Sequence, residues 1–365
     1  MTTTPLLDAP TPPPRAGFGR ARTLHRYVLS SLVVAAVGVW VLWRTGPREV
    51  PNLHGFAAVA GDWPSATIDP GFAYTLRVPL GQMAYRLLPQ QDSTTFFALH
   101  AGCLLLVAAL IGIWLCKRIG AHQGILAGCI LLLAPITPVL LLWVGMYDAF
   151  SMLAWTLLLM SLDRGRRAQF AAAALAGFQN FEQSVVGLLI LLLIPALWRG
   201  AGWAPRASAL LGGLVAGKVF LELLLSRAGA ATGDRVSYLF DEGKGVDLLT
   251  SASHALPTLL WSALGGLWIF AILGLRSAWG SWDRRSRAML IAACGLWMFS
   301  GVLAEDQTRV LAVTSFPAVV AGAIMMASRY RDVLAFAGQP SAWILAIAPP
   351  LVLWNNNFLP FGRDV

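Results

Sequence analysis

Long apolar runs, each close to 20 residues and separated by short polar segments, constrain this 365-residue sequence more than any other feature. A run of that length crosses about 30 Å of hydrocarbon as an α-helix. Only 12% of the residues are charged and 57% are hydrophobic, whereas a soluble domain carries about 25% charge. The sequence therefore predicts an all-α polytopic membrane protein with about eleven spans. The predicted spans are 27–43, 94–116, 121–144, 147–162, 168–180, 183–198, 207–226, 254–275, 288–304, 309–328 and 341–354.

The basic residues predict how this bundle is oriented. With the N-terminus inside and eleven spans, seventeen Lys and Arg residues fall on the cytoplasmic side and nine on the outer side. Merging the segments 168–180 and 183–198 into one span gives fourteen against twelve. Because basic loop residues tend to stay in the cytoplasm, the split is favoured. The two segments then form either a hairpin of short helices or one long interrupted helix.

The remaining segments follow from this arrangement. The Pro-rich and then basic segment 1–26 is expected to be a disordered cytoplasmic tail. The transmembrane bundle is expected over 27–354, with external loops at 44–93 and 227–253 and an external tail at 355–365. The net charge of +9 lies mostly on Arg in short loops, so it indicates orientation in a bilayer and not a nucleic-acid partner. The four cysteines lie inside apolar runs without CxxC spacing, so no disulfide framework and no thiolate metal site is expected.

Most carboxylates fall on the predicted outer side, although acidic residues contribute little to topology. This concentration indicates either a site assembled there or merely the greater length of the outer loops. Two of these acids, Asp62 and Asp69, lie in the turn-rich segment GDWPSATIDPG. Either is a candidate catalytic base for an acceptor hydroxyl, or a turn former, since Asp before Pro-Gly is common in turns. His54 is a candidate for proton transfer or metal binding with these acids, or a solvated loop residue.

An amphipathic segment follows in the same loop. The run FAYTLRVPLGQMAYRLLP, residues 72–89, has apolar residues at helical spacing, interrupted by a proline and a glycine. Such a pattern predicts a helix that lies in the membrane interface. Arg77 and Arg86 on this helix are candidates to bind lipid phosphate, or they are plain interfacial anchors. If a site is assembled on the outer side, it is expected to be a cavity, and Tyr74 and His54 are expected to line it.

Acids at predicted outer helix ends are expected to line that cavity as well. Asp148 begins the fourth span, and Glu182 lies at the turn between the fifth and sixth. Each acid either lines the cavity or only interacts favourably with the positive end of its helix dipole. In the run EDQTR, Glu305 and Asp306 are expected at the cavity, and Arg309 either pairs with Glu305 or faces a phosphate.

Two charged residues lie within the seventh span. Lys218 and Glu222 are four residues apart, so they share one face of a helix. A charge in the bilayer centre costs roughly 2.5–3.5 kcal/mol, which pairing reduces. The spacing predicts an intramembrane ion pair, or a lysine that reaches a ligand phosphate.

Together these features resemble the GT-C superfamily of integral-membrane glycosyltransferases. The resemblance lies in the loop with Asp62 and Asp69, the stretch YTLRVPLGQMAYRLLP before the second span, and GMYDAFSMLAWTLLL at the opening of the fourth. Better-known members have an Asp-Glu pair early in the loop, which this sequence lacks, so the choice of catalytic carboxylate stays between the two. The resemblance implies a polyprenyl-phosphate-linked sugar donor and catalysis on the external face of a membrane.

The same resemblance implies roles for individual residues. Asp62 or Asp69 would deprotonate a hydroxyl of a glycan, lipid or protein acceptor, while Arg77, Arg86 or Arg309 would stabilise the departing lipid phosphate. A divalent cation is a candidate cofactor, with no ligands assigned to it. The expected location is a bacterial inner membrane. Two other functions stay open: a transporter or flippase for a lipid-linked glycan, and a non-catalytic assembly subunit or a membrane enzyme of another class, such as a glycan polymerase.

Overall fold

The computed structural model describes residues 32, 35–43, 45–65, 70–193, 203–230, 244–254, 256–265, 268, 279–280, 282–304, 306–329, 351–354 and 357–360. Asp69, Glu305, the tail 1–26 and residues 231–243 of the loop 227–253 lie outside these residues. The described elements are mainly α-helices with one 3₁₀ helix and one β-hairpin. They are α1 (Leu53–Asp62), the 3₁₀ helix (Pro70–Arg77), α2 (Pro79–Arg86), α3 (Ser93–Ile119), α4 (Ala121–Leu133), α5 (Ile136–Leu142), α6 (Asp148–Ser161), α7 (Arg166–Leu192), α8 (Trp203–Arg227), α9 (Lys244–His254), α10 (Leu256–Leu264), α11 (Arg284–Val302), α12 (Gln307–Arg329), β1 (Leu351–Trp354) and β2 (Asn357–Pro360).

Three of the described helices, α3, α7 and α8, are apolar enough and, measured along the chain without regard to bends, long enough to cross a membrane. The segments Gln123–Leu133 and Ile136–Leu142 form a fourth candidate, bent by 55°, where Pro135 cannot continue the preceding helix. These helices define an integral membrane protein of helical class. The eleven predicted spans are not confirmed by the part of the chain that the structure describes.

Helix α7 consists of two helices that meet at Asn180, whose backbone is not helical (φ −161°, ψ 88°). The Ser184 hydroxyl donates to the Ala176 carbonyl at 3.1 Å, although eight residues of straight helix rise about 12 Å. The chain therefore bends sharply at Asn180. Two short arms, roughly 21 and 18 Å long at 1.5 Å per residue, replace one straight span. Between the two possibilities left open by the sequence, this geometry favours the hairpin of short helices.

The first arm of α7 packs against α8 through small residues, and the two run in the same direction. A Cβ on Gly217 would lie 2.0 Å from the Ala174 carbonyl oxygen, and one on Gly213 would lie 2.3 Å from that of Phe170. The contacting residue numbers increase together, from Phe170 and Gly213 to Ala174 and Gly217, so the two helices are parallel. Glycine is required at these positions because the backbones approach too closely for any side chain.

The loop 44–93, which is expected to be external, contains a helix that the sequence pattern did not predict. Helix α1 buries Leu53, Phe56, Ala57 and Ala60, which follow the i, i+3, i+4, i+7 pattern of one helix face. The interfacial segment after it consists of two pieces, because the 3₁₀ helix ends at Arg77 and α2 begins at Pro79. The interruption at the proline was expected from the sequence, whereas the 3₁₀ geometry was not.

The last predicted span, 341–354, is wrong over its final four residues. Strands β1 and β2 pair antiparallel, with Leu351 opposite Pro360 and Trp354 opposite Asn357. Two short apolar runs on either side of a two-residue Asn-Asn segment are the pattern of a β-hairpin. The all-α expectation therefore fails at this hairpin, and the expected tail 355–365 contains a strand.

Candidate functional site

The first group of site residues surrounds Arg309, at the N-terminal end of α12. Its Nη1 donates to Asp148 Oδ2 at 2.8 Å, and its Nε donates to Asp306 Oδ2 at 2.5 Å. All three side chains are buried, with exposed fractions of 8%, 3% and 9% respectively. One guanidinium thus holds two carboxylates that are 158 residues apart in the chain, which fixes the start of α6 against the start of α12.

The second oxygen of each carboxylate in this group lacks a hydrogen bond. Asp148 Oδ1 and Asp306 Oδ1 are both buried without a partner in the described part of the chain. Burial raises the pKa of the Asp306 carboxyl, and the Arg309 guanidinium opposes that effect. With both acids ionised, the group would carry one net negative charge, so it is an acceptor-rich site in a water-poor place.

A tight turn positions Asp148 for this contact. The backbone of residues 48–50 pairs with that of 141–144, through Val50 N to Val144 O at 2.9 Å and Val144 N to Arg48 O at 3.0 Å. The chain then turns at Gly145, whose φ is +105° and whose Cβ position lies 2.4 Å from Leu53. Only glycine tolerates both the backbone angle and the contact. The turn places Tyr147 and Asp148 at the N-terminal end of α6.

Tyr147 links this group to the interfacial segment. The Arg309 guanidinium lies 5.1 Å from the centre of the Tyr147 ring, and the Tyr74 ring meets the same ring edge-on at 6.0 Å. The Tyr147 carbonyl accepts from Gln179 at 3.3 Å. Gln179 in turn accepts from the backbone N–H of Leu80, at 2.9 Å, where α2 begins. One chain of contacts therefore runs from α12 to α2.

A second group of charged residues surrounds Lys218, on α8. Its Nζ lies 2.8 Å from Glu222 Oε1 and 3.2 Å from Glu182 Oε1, and Arg77 approaches the same Glu222 oxygen at 3.7 Å. The ammonium also lies 5.6 Å from the centre of the Phe181 ring. The predicted Lys218–Glu222 pair is confirmed, and Arg77 and Glu182 join it. Four alternating charges come together here from α7, α8 and the 3₁₀ helix.

Trp63 connects α1 to this second group. Its indole N–H donates to the Leu76 carbonyl at 3.1 Å, and its own carbonyl accepts from the Arg86 guanidinium. Asp62 precedes Trp63 in the chain, and Arg77 follows Leu76. These two contacts therefore tie the end of α1, where Asp62 lies, to the end of the 3₁₀ helix, where Arg77 lies, across the length of the Trp63 side chain.

The predicted site residues fall into three sets. Asp148, Asp306 and Arg309 come together, as do Arg77, Glu182 and Lys218, with Tyr74 next to Tyr147. His54, Asp62 and Arg86 are exposed on α1 and α2. Asp69 and Glu305 lie outside the described residues, so a Glu305–Arg309 pair stays a prediction; the described partners of Arg309 are Asp306 and Asp148.

Two residues that link these groups, Tyr147 and Trp63, were not among the predicted site residues. Tyr147 has a signal in its position next to Asp148, directly before a helix begins. Trp63 has one in its position between a loop acid and a proline. Neither signal separates a linking residue from an ordinary buried aromatic, because the partner of each lies elsewhere in the chain.

The described residues contain no group of three or more His, Cys, Asp or Glu side chains that could hold a metal ion. The acids are instead distributed between cations, two on Arg309 and two on Lys218. A cation entering either group would have to displace a basic side chain.

This integral membrane protein thus has two groups of charged residues, one where the start of α6 meets the start of α12 and one where the turn of α7 meets α8 and the 3₁₀ helix. No protein-family model matches the chain, and no curated protein matches it either. Among solved structures, the crystal structure of ArnT from Cupriavidus metallidurans in the apo state is similar, with a TM-score of 0.43 and 16% sequence identity. The similarity covers 85% of this chain and 60% of that chain.

Proposed function

We propose that this protein is a GT-C-type glycosyltransferase that moves a sugar from a polyprenyl-phosphate donor to an acceptor hydroxyl at the external face of a bacterial inner membrane. Asp62 or Asp69 is the general base that takes the hydroxyl proton. The acceptor is a glycan, a lipid or a protein. The proposal joins the resemblance of the loop and helix-end motifs to the arrangement of charges at one end of the bundle.

The single observation that carries the proposal is the hydrogen bond from the Trp63 indole to the Leu76 carbonyl. It supports the proposal because it ties the segment that carries Asp62 to the segment that carries Arg77. When a hydroxyl displaces a phosphate at a sugar carbon, the base and the anion-binding group must lie on either side of the same donor sugar, so the segments that carry them must be held together. The Asp62 side chain is exposed, so it is accessible to an acceptor.

Leaving-group stabilisation is the second part of the proposed mechanism. As the bond from the sugar to the phosphate breaks, negative charge builds on the lipid phosphate, and fixed cations nearby lower the energy of that state. Arg77 and Lys218 are proposed for this role, with Arg86 at the rim. Their effect is larger at the water-poor edge of a membrane than in bulk water.

The proposal is tested by measuring sugar transfer from a synthetic polyprenyl-phosphate sugar in proteoliposomes. Asp62→Asn and Asp69→Asn each remove a candidate base without a change in volume. We expect one of them to lower turnover about 10²- to 10⁴-fold, the range for loss of a general base. Asp247→Asn is the matched control, because Asp247 is an exposed acid on α9, and it should retain wild-type turnover.

Two results would contradict the proposal. If both variants turn over donor at the wild-type rate, the loop does not contain the base. If the wild-type protein moves a lipid-linked glycan across the vesicle membrane without cleaving any bond, the protein is a transporter.

A further inference from the structure

Two cations in the Lys218 group converge on a single oxygen atom. Glu222 Oε1 lies 2.8 Å from Lys218 Nζ and 3.7 Å from Arg77 Nη2. The two nitrogens are therefore at most 6.5 Å apart, the sum of those two distances. A phosphate presents several anionic oxygens on one atom and can contact both nitrogens at once. The carboxylate oxygen occupies the place that such an anion would take.

The Glu222 carboxylate is the member of this group that can leave most readily. Its side chain is 39% exposed, compared with 11% for Arg77 and 19% for Lys218. Its Oε1 atom is itself buried, but it has no hydrogen bond in the described part of the chain, so charge alone holds it, and ion pairs of a partly exposed carboxylate are weak. When Glu222 turns away, Glu182 stays at 3.2 Å from Lys218 and keeps the ammonium in place.

The Arg309 group does not offer the same exchange. Its guanidinium donates from Nη1 to Asp148 and from Nε to Asp306, and all three side chains are at most 9% exposed. Removing either carboxylate would leave a buried charge without its partner, which is strongly unfavourable. Of the cations expected to bind phosphate, Arg309 is thus held in a structural role, and Arg77 and Lys218 are the pair able to accept a ligand.

We propose that Glu222 acts as an internal competitor for an anion-binding site formed by Arg77 and Lys218, and that the phosphate headgroup of a polyprenyl lipid displaces it. The choice of lipid rests on the proposed function, whereas the competition rests on the ion-pair geometry alone. Binding would transfer both cations from the carboxylate to the phosphate. Because Arg77 ends the 3₁₀ helix and Lys218 belongs to α8, the bound phosphate would tie the interfacial segment to the bundle.

This inference gives an unusual prediction, that removing a charged side chain from the site strengthens binding. An internal competitor lowers the apparent affinity by the fraction of molecules in which the site is open. If that fraction is about 10%, Glu222→Gln increases the affinity for decaprenyl phosphate about tenfold. Lys218→Met removes the cation itself and should weaken binding by a similar factor.

The experiment measures binding of decaprenyl phosphate to the full-length protein in nanodiscs of uncharged lipid, by microscale thermophoresis. Asp247→Asn removes the same unit of charge at an exposed site and should change the affinity less than twofold, since distant charges are screened beyond about 8 Å. Glu222→Asp retains the charge but withdraws it by one methylene, so its affinity should lie between those of wild type and Glu222→Gln. Glu222→Asp keeps the test valid if Glu222→Gln folds poorly.

Competing ligands identify what the site binds. Displacement of the lipid by millimolar inorganic phosphate, strengthened in Glu222→Gln, supports a site that recognises the headgroup alone. Lack of displacement by phosphate, with the lipid still bound more tightly by Glu222→Gln, supports a site that also needs the prenyl chain. Unchanged or weaker binding in both Glu222 variants overturns the inference, as does equal displacement by phosphatidylglycerol.

The assay is independent of catalysis. A protein that binds decaprenyl phosphate as described but transfers no sugar would refute the transferase proposal and leave the competition intact. A protein that transfers sugar, with Glu222→Gln affinity equal to that of wild type, would refute only the competition.

Discussion

The buried Arg309 group offers the sharpest test of how this bundle is held together. Arg309→Met replaces the guanidinium by an apolar side chain and leaves Asp148 and Asp306 buried without their cation. Breaking a buried pair by removing one partner costs about 3–5 kcal/mol. The entropy of unfolding is about 2.1 cal/mol/K per residue, hence about 0.77 kcal/mol/K over 365 residues. We therefore expect the Tm to fall by about 4–7 °C.

The loss of stability in Arg309→Met should depend on pH, and the sign follows from the Asp306 carboxyl. Burial already raises the pKa of Asp306 above its ordinary value of 3.8, and the guanidinium opposes that rise. Without the guanidinium the folded-state pKa rises further, so the folded protein binds protons more tightly than the unfolded chain. Stability is then fully present below the unfolded pKa and is lost as the pH rises through the folded pKa. The difference from wild type should be smaller near pH 5.5 than near pH 8.

Unfolding can be followed in detergent with a dye that becomes fluorescent on reaction with thiols. Cys103 and Cys129 are buried in the folded protein and become accessible when it unfolds. The control is Arg167→Met, which removes an exposed arginine at the start of α7 and should leave the Tm within about 1 °C, since surface changes rarely exceed 0.5 kcal/mol. An Arg309→Met Tm equal to wild type, or a loss of the same size at both pH values, would refute the reasoning.

Two further predictions concern helix packing and helix capping. Gly217→Ala places a Cβ about 2.0 Å from the Ala174 carbonyl oxygen, so it should lower the yield of folded protein in size-exclusion chromatography, whereas Gly212→Ala, whose nearest neighbour is 3.7 Å away, should not. An equal yield from both variants would contradict the close parallel packing. Asp92 accepts from Thr95 N at 2.7 Å, a bond that lowers the pKa of its carboxyl below 3.8. The stabilising effect of the Asp92 carboxylate is therefore present above that value and lost as the pH falls through the folded pKa. The difference in Tm between wild type and Asp92→Ala should decrease on acidification. A difference that increases would show that the carboxylate does not cap α3.

The membrane class and several pairings could be predicted from the sequence because they depend on local pattern. Hydrophobic runs of about 20 residues identify spans without any knowledge of neighbours. The Lys218–Glu222 pair follows from a spacing of four on one helix. The break before Pro79 follows from the missing N–H of proline. Each of these needs only residues that are close together in the chain.

The tertiary contacts of the site could not be predicted in this way. Arg309 meets Asp148 across 161 residues, and nothing in the local sequence of either identifies the other. Glu305, its neighbour by helical spacing, was the partner that local reasoning suggested. Helix α1 was missed because its alanine-rich face was treated as part of a polar loop, although Leu53 and Phe56 begin a helical pattern. The hairpin of β1 and β2 was missed because a short apolar run fits a helix and a strand equally well.

The kink at Asn180 has a consequence for the shape of the membrane around the protein. Helix α6 and the longer arm of α7 each extend only about 21 Å, against a hydrocarbon layer of about 30 Å. A bilayer must either become thinner by roughly 9 Å beside them or leave a depression at one surface of the protein. Helix α2 contacts α7 through Leu80 and Gln179, directly beside the kink, so α2 covers the end of the shortened first arm of α7.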